Sequence, residues 1–348
     1  LTITYILWGS VFYTSINIPY GSMASAISDD PGDRQSLSTF RTMGGMFAGA
    51  FIMAGVPLMI YDKVNGNDIL NGKRFTIIAG VCSILAFICY ILCYSLTTER
   101  VRTEASADAM RQNSVGNMLK NALKNRALIS IIVASVFMLV SQLTIQQMAN
   151  YVFPNYYGNA KAQSLSMVVM GGGMLVAALI AKPLAKKIGK AEMSVIANML
   201  AGVVCIILYF VRPQNVWVYV SFQFLSWFGL GVFSMVTWAL ITDVIDYSEI
   251  KNGIREDGSV YALYSFARKL GQAASAGLTG ALLSLIGYDQ STAFMPEVKE
   301  GIFDISTLVP AASFIILALI LWFWYPLHKK QVEENVAILR EKHSSGKE

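Results

Sequence analysis

The sequence predicts an all-α polytopic membrane protein, and three observations carry that prediction. Only 14% of the residues are charged while 55% are hydrophobic, against roughly 25% charged in ordinary soluble domains. The apolar residues gather into runs about as long as the ~20 residues a helix needs to cross a bilayer. Lys and Arg collect in alternate connections between those runs. The shortage of charge extends along the whole chain, so one anchor on a soluble enzyme does not explain it.

Nine runs have spanning length: 1–23, 36–60, 74–96, 127–153, 162–184, 191–211, 215–242, 258–286 and 305–325. The longest polar interval, Thr97 to Arg126, holds Arg100, Arg102, Arg111, Lys120, Lys124 and Arg126, and reads as a central cytoplasmic loop. Lys182, Lys186, Lys187 and Lys190 mark the next inward connection, Lys251 and Arg255 the one after, and Lys329 and Lys330 follow the last run. The expected organisation is therefore three helices of an N-terminal bundle in 1–96, a loop in 97–126, a six-helix bundle in 127–325 and a cytoplasmic tail in 326–348. With the tail inside and an odd helix count, Leu1 is expected outside. It is not an initiator Met, and no basic segment or cleavage site precedes the first run. The expectation is a longer protein of twelve helices, with three upstream if the halves are repeats.

Several function classes are excluded. The net charge of +5 sits in loops and tail, with no basic stripe interleaved with aromatics, so nucleic acid is not an expected partner. Cys82, Cys89, Cys93 and Cys205 lie inside apolar runs and read as packing residues. The two histidines, His328 and His343, are both in the tail. No HExxH, Ser–His pair or metal-ligand cluster is present, so neither an enzyme nor a bound cofactor is expected.

Polar groups inside the runs point toward transport. Gln142, Gln146 and Asn150 recur every fourth residue on one helix face, and either line a cavity or bond to another helix. Gly44, Gly45, Gly49 and Gly55, and again Gly271, Ala274, Gly277 and Gly280, read as close-packing faces. Charges at membrane depth are costly and default to functional hypotheses; the candidates are Arg41, Arg268, Lys269, Asp243 and Asp246. Arg41 and Arg268 have the alternative of reaching the interface along their own stems. Asp243 and Asp246 share a helix face and, with Glu249, Arg255 and Arg34, form either a gate of ion pairs or a solvated interfacial cluster.

Three stretches carry a resemblance: YTSINIPYGSMASAISDDPGDRQSLSTFR from Tyr13 to Arg41, DVIDYSEIKNGIREDGSVYALYSFARKLGQA from Asp243 to Ala273, and LIGY ending at Tyr288. They resemble the glycoside–pentoside–hexuronide:cation symporters, the melibiose-permease-like branch of the major facilitator superfamily. The resemblance implies a two-bundle fold of twelve helices. It also implies cation-coupled symport of a sugar or glycoside, with sodium or a proton as coupling ion, in a bacterial inner membrane and by a monomer. Carried over by residue, it implies Asn17 and Arg41 as sugar contacts, Thr14 and Lys269 as cation-linked with Lys269 between the two sites and so also substrate-binding, and Asp243, Asp246 and Arg255 as the cytoplasmic gate. Tyr13, Tyr20, Gln142 and Gln146 complete the expected substrate set. Gly21 and Ser234 stand where the family has tryptophans, so Trp238, one turn beyond Ser234, is the expected stacking face. Asn17 replaces an Asp, which keeps hydrogen bonding but drops the charge. A transported sodium is the one metal ion expected, and the family's paired cation-site carboxylates belong to a helix before Leu1. The alternatives are a carrier of another small or amphiphilic solute on the same fold, or a non-transporting membrane sensor.

Overall fold

The computed structural model describes residues 3–4, 7–13, 15–16, 20, 27, 40, 44–45, 47–49, 51–64, 67–98, 125–252 and 257–345. The chain divides into two units, one made of Leu1–Ile60 with Leu70–Asn113, the other of Tyr61–Ile69 with Ser114–Glu348. The first two expected spans fall largely outside the described residues. A short hairpin, β1 (Tyr61–Val64) and β2 (Asn67–Leu70), is the one sheet among the described residues.

Helix α1 (Gly72–Leu96) starts where the Asn71 side chain accepts from the Lys73 and Arg74 amides at 3.0 and 3.2 Å, two of the donors a helix start leaves unpaired. It buries none of its residues, and its large apolar side chains are exposed all round. Such a surface suits lipid or further helices and not water.

The second unit holds α2 (Arg126–Tyr151), α3 (Ala160–Ile188), α4 (Lys190–Val211), α5 (Val216–Asn252), α6 (Asp257–Leu285), α7 (Pro296–Leu319) and a tail helix α8 (Lys329–Ser345). π-Helical turns extend α2 to Tyr156 and α7 to Trp324. Among the described residues six helices are long and apolar enough to cross a membrane, namely α1, α2, α3, α4, α5 and α7. The eighth expected run is also a helix, α6, but its Gly, Ser, Arg268 and Lys269 leave it less apolar. Helix α5 exceeds the expected 215–242 by ten residues at its far end. At 1.5 Å per residue it is about 55 Å long, so it projects beyond a hydrocarbon core of about 30 Å and carries Asp243, Asp246 and Glu249 near its end.

The packing has an internal symmetry. Helix α2 packs on α6 and α7, α5 packs on α3 and α4, and α4 packs on α7. Exchanging α2 with α5, α3 with α6 and α4 with α7 maps this set of contacts onto itself. The six helices are thus two three-helix units of opposite direction, the inverted-repeat arrangement of many secondary carriers.

Glycines make the tightest approaches, though mostly not where the sequence placed them. A Cβ on Gly271 would lie 3.1 Å from Leu139 Cδ1, so α6 does pack closely on α2 there. Among the described residues Gly277 and Gly280 have nothing within 4 Å, so within the second unit the expected packing face is used at Gly271. Instead a Cβ on Gly229 would sit 2.5 Å from the Ala197 carbonyl oxygen and one on Gly173 2.8 Å from that of Phe224. Gly229→Ala is therefore expected to push α4 and α5 apart at a loss of about 1–3 kcal/mol, while Gly277→Ala leaves stability unchanged or raised. Thermal unfolding in detergent checks both; equal effects at the two positions would refute this packing.

Candidate functional site

Two groups of polar residues stand out in the second unit, one near the middle of the helices and one at the end that bears the tail.

The first group begins with the Gln142–Gln146–Asn150 stripe, which the structure divides. Asn150 is exposed and accepts a 2.8 Å hydrogen bond from the Gln163 amide on α3, so it serves helix–helix contact. Gln142 and Gln146 are half-buried, and among the described residues neither carboxamide has a hydrogen-bond partner. Helices α2 and α6 run parallel, tied by Gly271 against Val136 and Leu139 and by Thr144 to Thr279 at 3.4 Å. Helix α5 meets α2 where the Ser234 hydroxyl lies 3.6 Å from Met138 Sδ. It runs the opposite way, since Leu240 lies by Tyr325 and the Arg126 side chain reaches the Trp324 carbonyl. Gln142 is one turn from Met138 away from the tail end, and Trp238 is one turn from Ser234 toward it.

Trp238 is 48% exposed. Its ring packs edge-to-face with that of Tyr264 on α6, with centroids 5.4 Å apart at 71°. The Arg268 guanidinium lies 5.9 Å from the centroid of the same Tyr264 ring, and the neighbouring Lys269 side chain is exposed. Sequence reasoning missed Tyr264, a fully buried residue whose one visible clue was its place one turn before Arg268. In the first unit Tyr13 and Tyr20 are both partly exposed, with the Trp8 and Tyr13 rings 6.2 Å apart. Thr14, Asn17, Arg34, Arg41 and Arg255 lie outside the described residues.

The second group centres on Asp243. Its carboxylate receives a 2.6 Å hydrogen bond from the Lys190 ammonium, at the first residue of α4. The sequence had placed Lys190 among loop cations and paired Asp243 with Arg255 or Arg34. Lys190 reaches it because Gly189, at φ +102°, reverses the chain between α3 and α4, a conformation that favours glycine. Two residues further on, Glu192 accepts from the Lys329 amide at 2.9 Å and lies 3.5 Å from His328 Nδ1, so a carboxylate of α4 caps the start of the tail helix. Lys329 Nζ in turn donates to the Lys187 carbonyl at 3.1 Å. A cavity of about 210 Å³ opens here, lined by Lys186, Lys190, Asp243, Lys329 and Glu333 among others. Asp246 is half-buried, and Glu249, at 7% exposure, is buried one turn further along α5.

At the opposite end Arg212, in the left-handed region at φ 42°, bonds Asp304 at 2.7 Å and lies over Tyr209. Burial works against its charge, but Asp304 and Tyr209 hold its pKa above the ordinary arginine value. This pair fastens α4 to α7 and has no part in the polar lining.

A family model described as MFS/sugar transport protein matches residues 1–329. The chain belongs to that family. Its relatives put this transporter in the glycoside–pentoside–hexuronide-like branch. It is 29% identical over 343 residues to the uncharacterized symporter YjmB of Bacillus subtilis (strain 168), covering 97% of this chain and 72% of that protein. It is 26% identical over 329 residues to the glucuronide carrier protein homolog of Escherichia coli (strain K12), covering 93% and 69%. To the isoprimeverose transporter of Lactiplantibacillus pentosus it is 27% identical over 337 residues, covering 96% and 68%. The family is one of transporters and not of enzymes, as the missing catalytic motifs implied.

Proposed function

We propose that this transporter carries a sugar or glycoside together with a coupling cation, sodium or a proton, by alternating access across a bacterial inner membrane. The observation that carries the reading is the lining of α2, α5 and α6. The free carboxamides of Gln142 and Gln146, a half-exposed indole at Trp238 and the exposed Lys269 occupy helices of membrane-crossing length. Sugars are polyhydroxylated and need donors and acceptors beside an apolar face, and these are the side-chain types the three helices carry. The relatives named for a glucuronide and for isoprimeverose support the sugar class. The family resemblance adds Asn17 and Arg41 to the substrate set, Arg41 as a forked donor. Thr14 and Lys269 link it to the cation.

In this reading the Lys190–Asp243 pair closes the cytoplasmic side with Asp246 and Glu249 further along α5, and the family resemblance adds Arg255 and Arg34 to that gate. They part when one bundle rocks against the other. The test is binding of a glycoside panel to purified protein. Arg41→Ala and Asn17→Ala are each expected to lower affinity by roughly a hundred-fold or more, as loss of a desolvated charged or amide anchor does, with the unfolding temperature kept. Normal binding in both variants sinks the site. A carrier of an amphiphilic solute would instead bind none of the panel and would bind a detergent-like probe.

A further inference from the structure

Helices α5 and α6 follow one another in the chain yet pack little against each other, since α5 lies on α3 and α4, and α6 on α2. One contact that joins them is a pair of rings. The Trp238 indole of α5 and the Tyr264 phenol of α6 pack edge-to-face, with centroids 5.4 Å apart at 71°, an arrangement that aromatic pairs favour. The two rings differ in setting: Trp238 is 48% exposed, whereas Tyr264 is fully buried. Arg268, one turn further along α6, lies 5.9 Å from the centroid of the Tyr264 ring. The Tyr264 hydroxyl is buried and, among the described residues, has no hydrogen-bond partner. A buried hydroxyl without a partner costs stability, so what this position contributes is the ring and not the oxygen.

We infer that Tyr264 is a positioning residue for Trp238: it holds the indole in the orientation on which a pyranose stacks, without touching the sugar. This rests on the sugar reading above and adds a residue that sets how tightly the sugar is held. A half-exposed side chain can turn among its rotamers, and apparent affinity falls with the fraction in the competent one. A fully buried ring is fixed by its surroundings, so edge-to-face packing on it favours one indole orientation over the rest. The preference that one such pair supplies corresponds to roughly three- to ten-fold in that fraction. Tyr264 presents no surface of its own, so its effect on binding passes through Trp238.

The test is a double-mutant cycle on affinity, with thermal unfolding followed beside it. Purified protein is titrated calorimetrically with methyl glucoside, methyl galactoside, methyl xyloside and methyl glucuronide. For the probe that binds most tightly, Tyr264→Leu is expected to weaken affinity roughly three- to ten-fold. Tyr264→Phe keeps the ring, stays within about two-fold of the wild type, and unfolds at the same or a higher temperature. On a Trp238→Ala background Tyr264→Leu adds no further loss, because the indole it positions is gone. A residue that served the core alone would lower the unfolding temperature in both backgrounds and move affinity in neither. Wild-type affinity in folded Tyr264→Leu overturns the inference and leaves the sugar reading standing. An additive loss in the double variant also overturns it, as does an equal loss in Tyr264→Phe, which would put the hydroxyl on the sugar. Wild-type affinity in Trp238→Ala overturns it together with the stacking face. Binding of none of the four probes, by protein shown to be folded, removes the sugar reading and this inference with it. Should Tyr264→Leu fail to fold, Tyr264→Met, which fills the space without a ring, takes its place in the same cycle.

Discussion

Lys190→Ala lowers the unfolding temperature of the transporter in detergent more than Asp243→Ala does. The asymmetry follows from where the two charges sit. The Asp243 side chain is 9% exposed and that of Lys190 28%. Removing the lysine leaves a carboxylate buried without its partner, and breaking a fully buried pair in this way costs about 3–5 kcal/mol. Partial exposure on the lysine side lets water relieve some of that, so about 2 kcal/mol is expected. Removing the aspartate leaves an ammonium on a flexible four-carbon stem that can turn to solvent, at a loss of about 1 kcal/mol. The double variant Lys190→Ala with Asp243→Asn recovers most of the loss, because the two residues are coupled and not additive. Equal losses in the two single variants, or an additive double variant, would show that the pair is not closed as described. Gly189→Ala is expected to mimic Lys190→Ala in direction, since φ +102° is a backbone conformation that strains any residue with a Cβ.

Trp238→Ala separates binding from stability. The indole is 48% exposed, so its removal leaves the bundle core largely intact and shifts unfolding little. Its loss removes the apolar face of the proposed site, and truncating a buried aromatic anchor in a binding site costs at least about 2 kcal/mol, roughly thirty-fold in affinity. Trp238→Phe keeps an apolar plate and stays within several-fold of the wild type. The double variant Gln142→Ala/Gln146→Ala acts through lost hydrogen bonds to substrate. Neither carboxamide has a partner among the described residues, so this variant also folds normally. Isothermal titration with the tightest glycoside of the panel, beside thermal unfolding, checks both. Wild-type affinity in Trp238→Ala would place the apolar face elsewhere.

Much of the helix layer was legible because its causes are local. Runs of about 20 apolar residues, with Asn71, Asn125 and Asn159 capping three starts, fix where helices lie within a few residues. The end of α5 was set too early because apolar density falls after Leu240, yet no Gly or Pro occurs before Gly253 to stop the helix. Contacts across helices were not legible. Lys190 and Asp243 are 53 residues apart and Glu192 and Lys329 are 137 apart; only the packing of α4 on α5 and on the tail decides such pairs. The glycines teach the same lesson. Spacing suggested a contact face through Gly277 and Gly280, whereas Gly173, Gly202 and Gly229 lie within Cβ reach of another helix's backbone. The polar stripe of α2 was seen in full, but that Asn150 serves a helix contact depended on Gln163 of α3.

Glycoside accumulation in proteoliposomes, driven by an imposed sodium or proton gradient, tests the central claim most directly. The account predicts that one of the two gradients drives a glycoside above its external concentration, and that collapsing this gradient abolishes accumulation. Equilibration without accumulation under either gradient, or no entry of any glycoside by folded protein, would contradict it.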